Sequence, residues 1–484
     1  MHPVDCVIIA VYLIATITVG ILSRGKQSKA DDYFTARGEM TSVFQSLVVG
    51  LSLAATLFSG ISFLAYPSLV YSYGLSVLIG LICFPLAYIA VVYWFLPKFL
   101  KSNIAHPYDI IEINLGSHAR TIAAVMYFLL RVGWMAALVY APTLAILAAG
   151  NLDDKWFWPV VLMIGLSSTL YTTFGGIRGL IITDAIQFVV IIVGVAVTII
   201  FILIKLPVSF GQAVATINDM GYTKVNFSLD PAAKITFWTL TIGYLISNLS
   251  NYTADQMSLQ RYLTTGNIKS TAKSFMFNLV GATCVLVLLA VVGLCLVVWY
   301  KFVPDANMPT KVDKIFPYFV SANLPVGISG LLLAAILAAT ISSMTAGINA
   351  LASSITYDFR SRFGKAMTPL AQLKFGKICS LVIGLASTFA AGLVSKIGTI
   401  FDITQTLLGL FLGPLFACMV LAVMAIPINS LMMLIAVFAG LAAGGMIFVF
   451  EWAPLWVSPV TFSTTLIVSM AGTFIFGADK KKKG

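Results

Sequence analysis

Charge is what this 484-residue chain lacks: 10% of its residues are Asp, Glu, Lys or Arg, against roughly 25% in soluble domains. So little charge cannot cover a soluble core, which excludes a cytosolic enzyme and a disordered chain. Histidine is scarce as well, with only His2, His106 and His118. That argues against a His-based metal centre or proton relay. The six cysteines, Cys6, Cys83, Cys284, Cys295, Cys379 and Cys418, stand singly with no CxxC. They read as small hydrophobes packed between helices, not as a disulfide framework or a metal cluster. Long hydrophilic stretches are missing too; the widest gaps, 206–233 and 302–326, are too short for a separate soluble domain.

What is present is apolar surface. Sixty per cent of the chain is hydrophobic and the mean hydropathy is +0.99. Its apolar runs exceed the roughly 18 residues that span a bilayer. They are continuous rather than alternating, so the spans are helices and not barrel strands. Thirteen are expected, at 5–22, 42–68, 74–97, 119–149, 157–175, 181–205, 234–256, 272–301, 327–357, 373–398, 404–425, 429–449 and 456–476. The first is not read as a signal peptide, because Arg24, Lys26 and Lys29 follow its apolar run rather than precede it. With the N-terminus outside, 20 loop Lys and Arg fall inside and eight outside. Cytoplasmic loops carry the excess of Lys and Arg, so this predicts an N-out, C-in protein of the plasma (inner) membrane. The net charge of +11 is then topology, not a sign of nucleic acid, and Lys480–Lys483 is a tail for lipid headgroups. A small-molecule substrate and membrane lipids are the expected partners; no obligate protein partner is.

Two spans are not built merely to span. The second reads Leu51-Ser-Leu-Ala-Ala-Thr-Leu-Phe-Ser-Gly-Ile-Ser62, and the seventh is polar from Ser247 to Gln256. Irregular backbone at membrane depth is tolerated only inside protein or beside a cavity. Paired interrupted helices at matching places in two halves point to a transport site. If spans 2–6 and 7–11 are those halves, each broken span opens one. Small residues that only let helices approach closely are the plainer explanation. The ninth span adds Ser342, Ser343 and Thr345 within one turn. Neutral hydroxyls, with carbonyls freed at a helix break, suit sodium, and half-helix C-terminal ends favour a cation.

Two charges stand inside spans, Asp184 and Arg131. At that depth each is a functional hypothesis. Either they pair with each other, or Asp184 supports a cation while Arg131 meets a substrate carboxylate or a backbone carbonyl. Asp255 and Lys396, near span ends, are expected at the interface.

At these residues the chain resembles the sodium–solute symporter family, which carries sugars, iodide, vitamins, monocarboxylates, proline and sialic acids. The motifs are Asp31-Asp-Tyr-Phe-Thr-Ala-Arg-Gly38, Gly175-Gly-Ile with Thr183-Asp-Ala-Ile-Gln187, Gln260-Arg-Tyr262 and the Ser342-Ser343 helix. The resemblance implies an all-α polytopic fold with a LeuT-like five-plus-five inverted repeat. A single transport domain, 1–484, would then hold an extra helix (5–22), two repeats (42–205 and 234–425) and two closing helices (429–476). It also implies a sodium site on the carbonyls of Ala55, Phe58 and Ala339 and the hydroxyls of Ser342 and Ser343, supported by Asp184. Ala346 and Gly347 stand where a second site would want hydroxyls, so one sodium per cycle is expected. Tyr140-Ala-Pro-Thr-Leu144 and Pro67-Ser-Leu-Val-Tyr-Ser-Tyr-Gly74 resemble the iodide, multivitamin and monocarboxylate branch. By position the substrate pocket involves Leu57, Ser59, Ser62, Val77, Leu81, Trp134, Asn251, Tyr252 and Gln405. That set is poor in hydrogen-bonding groups, and each buried unpaired hydroxyl is costly, which favours a small, partly apolar solute over a sugar. The leading reading is sodium-coupled symport of a small organic solute, with a carboxylate as one option. The alternatives are proton coupling on the same fold with Asp184 titrating, and sodium-coupled sugar or amino-acid uptake. No nucleophile–base pair suggests an enzyme.

Overall fold

The computed structural model describes residues 2–102, 104–150, 152–360, 367–393 and 400–478. Lys396, the end of the 373–398 span and Lys480–Lys483 lie outside the described residues. Among those described, all regular structure is helical.

Helix α1 (Pro3–Leu22) precedes the broken second span. A short helix α2 (Ala30–Phe34) leads to α3 (Val43–Leu57) and α4 (Gly60–Tyr73). Between these halves Phe58 (φ −90°, ψ 90°) and Ser59 (φ −82°, ψ 164°) are extended. The Ser59 hydroxyl accepts from the Ser62 amide at 3.3 Å, capping α4. The third span continues through a 3₁₀ turn (Gly74–Ile82), α5 (Cys83–Ile89), a π turn (Ala90–Phe95) and α6 (Leu96–Lys101). Gly74 separates it from α4 with φ 67°, a left-handed value that a side chain resists; a Cβ there would stand 2.2 Å from the Tyr222 carbonyl oxygen. A surface helix α7 (Asp109–Leu115) and the long α8 (Ser117–Ala149) follow.

The fifth and sixth spans form one 49-residue helical stretch, α9 (Phe157–Lys205). At about 1.5 Å per residue it is far too long for one crossing of a roughly 30 Å core. Gly176, at φ 61° and ψ −174°, breaks it. After α10 (Phe210–Asp219), the seventh span runs from a π turn (Thr239–Gly243) into α11 (Tyr244–Thr253) and α12 (Gln256–Thr265). Its break is Ala254 and Asp255, ten residues before the helix ends, so the expected 234–256 boundary stops at the break rather than at the span's end. The remaining helices are α13 (Ile268–Phe302), α14 (Ile315–Asn323), α15 (Ile328–Ser354), α16 (Pro369–Ala390), α17 (Ile400–Val423), α18 (Ser430–Val449) and α19 (Val457–Phe476). By length and composition, ten helices among the described residues suit a membrane crossing.

Helix α15 is the axis of the bundle. From Leu332 to Ser354 every residue is buried, and α1, α3, α4, α8, α9 and α16 all pack against it. Its composition explains this, since Ala, Ser, Thr and Gly let neighbours approach closely in a membrane. Its first turn is held by α1: the Asp5 carboxylate accepts from the amides of Gly327 (2.8 Å) and Gly330 (3.0 Å). A carboxylate at a helix N-terminus satisfies orphan amides and the positive dipole end. Asp5→Ala is expected to destabilise the protein by about 1–2 kcal/mol and lower its melting temperature in detergent; an unchanged melt would show the cap to be idle.

Candidate functional site

The ends of the broken helices meet the middle of α15. The Ser342 hydroxyl donates to the carbonyls of Ala55 (3.0 Å) and Ala339 (3.2 Å), and that of Ser343 to the Thr56 carbonyl (2.8 Å). The Ala55 and Thr56 carbonyls are available because α3 ends at Leu57, so no amide of a following turn takes them. Phe58, the residue after that end, is buried beside them. Thr345 points elsewhere: its hydroxyl donates to the Ser342 carbonyl at 3.0 Å and accepts from the Tyr171 hydroxyl at 3.3 Å. At Gly347 a Cβ would already stand 3.3 Å from the Met135 sulfur.

Asp184 reaches this cluster through Thr56. Its Oδ2 accepts from Ser52 (2.8 Å), Thr56 (3.3 Å) and Arg261 (2.7 Å). Arg261 also donates through Nε to Ser52 (2.9 Å) and through Nη1 to the Met257 carbonyl (2.9 Å). Both charged side chains are fully buried. The alternative in which Asp184 pairs with Arg131 is therefore wrong. Arg261 is held inside the bundle, because all ten residues of α12 are buried.

Arg131 pairs instead with Asp255 across the break of the seventh span. Asp255 is 0% exposed, not interfacial, and its other oxygen caps α12 by accepting from the Met257 amide at 2.9 Å. The Arg131 Nε donates to the Tyr127 hydroxyl (3.1 Å), and the guanidinium lies 4.5 Å from the Trp134 ring centre. Its Nη1 and the Trp134 Nε1 have no partner, although both are buried.

These two residues line a cavity of 1320 Å³, counted with its open mouth. All nine pocket residues expected from sequence (Leu57, Ser59, Ser62, Val77, Leu81, Trp134, Asn251, Tyr252 and Gln405) line it, and so does Arg131. Thr56, Leu57 and Phe58 line it too, so the cavity begins where the serine cluster ends. Beyond those nine, the wall carries further hydrogen-bonding groups, although most of its surface is apolar. Tyr66, Tyr244, Ser247, Asn248, Asn278 and Thr404 also face the cavity. Asn278, on α13, is fully buried with both amide atoms unpartnered. Polarity at Ser247 and Asn248 was visible in the sequence. Asn278, one polar residue in an apolar run, was the overlooked signal.

Ion pairs also tie the two ends of the bundle. At one end Arg120 of α8 meets Asp109 (2.8 Å), Glu112 (2.6 Å) and Asp358 (2.8 Å), and Gln256 donates to Asp358 at 3.1 Å. At the other Lys234 meets Asp402 at 2.6 Å, and that hydrogen bond holds the ammonium above its ordinary range.

Broken helices beside a buried oxygen cluster, opening into one central cavity, define a polytopic membrane transporter. The sodium:solute symporter family model matches residues 33–440. The chain belongs to that family of sodium-coupled symporters, and its fold is the LeuT-like one. It is 29% identical over 476 residues to the sodium/sialic acid symporter NanT of Aliivibrio fischeri, covering 96% of this chain and 89% of that protein. The human sodium/iodide cotransporter is 28% identical, over 91% of this chain and 68% of its own. Human sodium-coupled monocarboxylate transporter 2 is 30% identical, over 76% and 60%. A substrate-bound, outward-open sodium-coupled sialic acid symporter superposes with a TM-score of 0.88 at 25% identity, covering 99% of each chain.

Proposed function

We propose that the chain couples one sodium ion per cycle to the uptake of a small solute that bears a carboxylate. The ion is held by the carbonyls of Ala55, Phe58 and Ala339 and the hydroxyls of Ser342 and Ser343. The observation that carries this reading is the contact of Ser342 and Ser343 with carbonyls in the last turn of α3, next to the cavity. Neutral oxygens at a helix C-terminal end attract a cation without a buried formal charge. The solute carboxylate takes the two unpartnered donors, Arg131 Nη1 and Trp134 Nε1. Relatives named for a sialic acid, for monocarboxylates and for iodide all carry anions. The proton-driven alternative is weaker, because Asp184 is already engaged by Arg261. The filled space at Gly347 supports a single sodium site.

In the same reading α3–α4 and α11–α12 are single crossings. The stretches divided by Gly74 and Gly176 contribute two crossings each, which makes thirteen, N-terminus outside and C-terminus cytoplasmic. Residues 42–205 and 234–425 are the inverted repeats. Purified protein in liposomes is expected to accumulate labelled carboxylates under an inward sodium gradient and not with choline in its place. Equal accumulation in choline, driven by a pH gradient, overturns the reading.

A further inference from the structure

Among the described residues, the charges around the site sum to zero before anything binds. Among the cavity-lining residues Arg131 and Asp255 are the charged ones, and they pair. Behind the serine cluster Asp184 and Arg261 pair, both fully buried. The serine cluster itself consists of hydroxyls and carbonyls, which are dipoles. Dipoles solvate an ion locally but leave its net charge uncompensated, and a buried net charge is costly. A sodium ion alone therefore makes this core a net cation, and an anionic solute alone makes it a net anion.

We infer that the solute is a monoanion whose carboxylate supplies the counter-charge of the bound sodium, so that the two bind as a neutral pair. This rests on the carboxylate reading above and adds the origin of coupling to it. Attraction between opposite charges is strong where water is scarce, and the cavity adjoins the serine cluster at Thr56, Leu57 and Phe58. Arg131 spends Nη2 on Asp255 and Nε on Tyr127. Its Nη1 is left to orient the carboxylate while the pair with Asp255 stays intact. Arg131 is thus a hydrogen-bond donor with its charge already cancelled, and it cannot replace sodium as the counter-ion. Because coupling free energy is reciprocal, sodium strengthens carboxylate binding and carboxylate strengthens sodium binding by the same factor.

The test uses detergent-purified full-length protein and pairs of probes: lactate with lactamide, propionate with propionamide, and N-acetylneuraminate with its methyl ester. Binding is measured in sodium and in choline. For a carboxylate that binds, sodium is expected to lower Kd by about tenfold or more. Its neutral partner is expected to bind equally weakly in both salts. In Asp255→Asn the Arg131 charge is no longer cancelled, so the carboxylate is expected to bind without sodium. A neutral probe strengthened by sodium as much as its acid overturns this inference and leaves the symport reading standing. A panel in which no carboxylate binds overturns the carboxylate reading itself. If Asp255→Asn does not fold, the comparison of acid with amide in the wild type still decides.

Discussion

Ser342→Ala combined with Ser343→Ala is expected to abolish sodium-driven uptake while the protein remains folded. Each hydroxyl that donates to a carbonyl at the end of α3 turns a lone pair towards an ion in its place. Removing one ligand group costs about 1–3 kcal/mol, so two together exceed what a tenfold sodium gradient, about 1.4 kcal/mol, offsets. Thr345 does not replace them, because it is turned towards Tyr171, and Gly347 offers no hydroxyl, with Met135 beside it. Stability should fall little, since both hydroxyls are lost without leaving a charge unpaired. Uptake by proteoliposomes at graded sodium, with gel filtration as the folding control, checks the result. A double variant that keeps wild-type sodium dependence removes Ser342 and Ser343 from the ion site.

Arg261→Met is expected to destabilise the protein strongly. It strands the Asp184 carboxylate, 0% exposed, between Ser52 and Thr56 with no counter-charge. Breaking a buried ion pair from one side costs about 3–5 kcal/mol. Asp184→Asn is expected to cost a similar amount by stranding Arg261, and also to weaken sodium binding through Thr56, whose carbonyl faces Ser343. Combining Asp184→Asn with Arg261→Met removes both charges and should recover part of the lost stability. Thermal melts of the two single variants and the double variant measure this coupling directly. Additive losses would mean that the pair contributes no mutual stabilisation.

Most of the helical architecture was legible because membrane helices announce themselves one segment at a time. A run of apolar residues and the loop after it need no partner to be recognised. The breaks were legible for the same reason: Ala55–Ser62 and Ser247–Gln256 are too polar for plain spans, and each holds an interruption, at Phe58–Ser59 and at Ala254–Asp255. The nine residues named from the sequence line one cavity because they lie on those breaks or on helices that pack against them.

Charge pairing was not legible. Arg131 and Asp255 are 124 residues apart, and Asp184 and Arg261 are 77 apart. Nothing local in the sequence distinguishes these partners from the pairing of Arg131 with Asp184. Asp255 looked interfacial because it sits where the apolar run ends, yet the fully buried α12 extends the span past it. The sequence by itself determined that this is a membrane bundle with two interrupted helices and a serine pair between them, since hydropathy and local polarity act along the chain. Only the tertiary structure decided which buried charges cancel, because an ion pair is set by proximity through space, and proximity follows from how the helices pack.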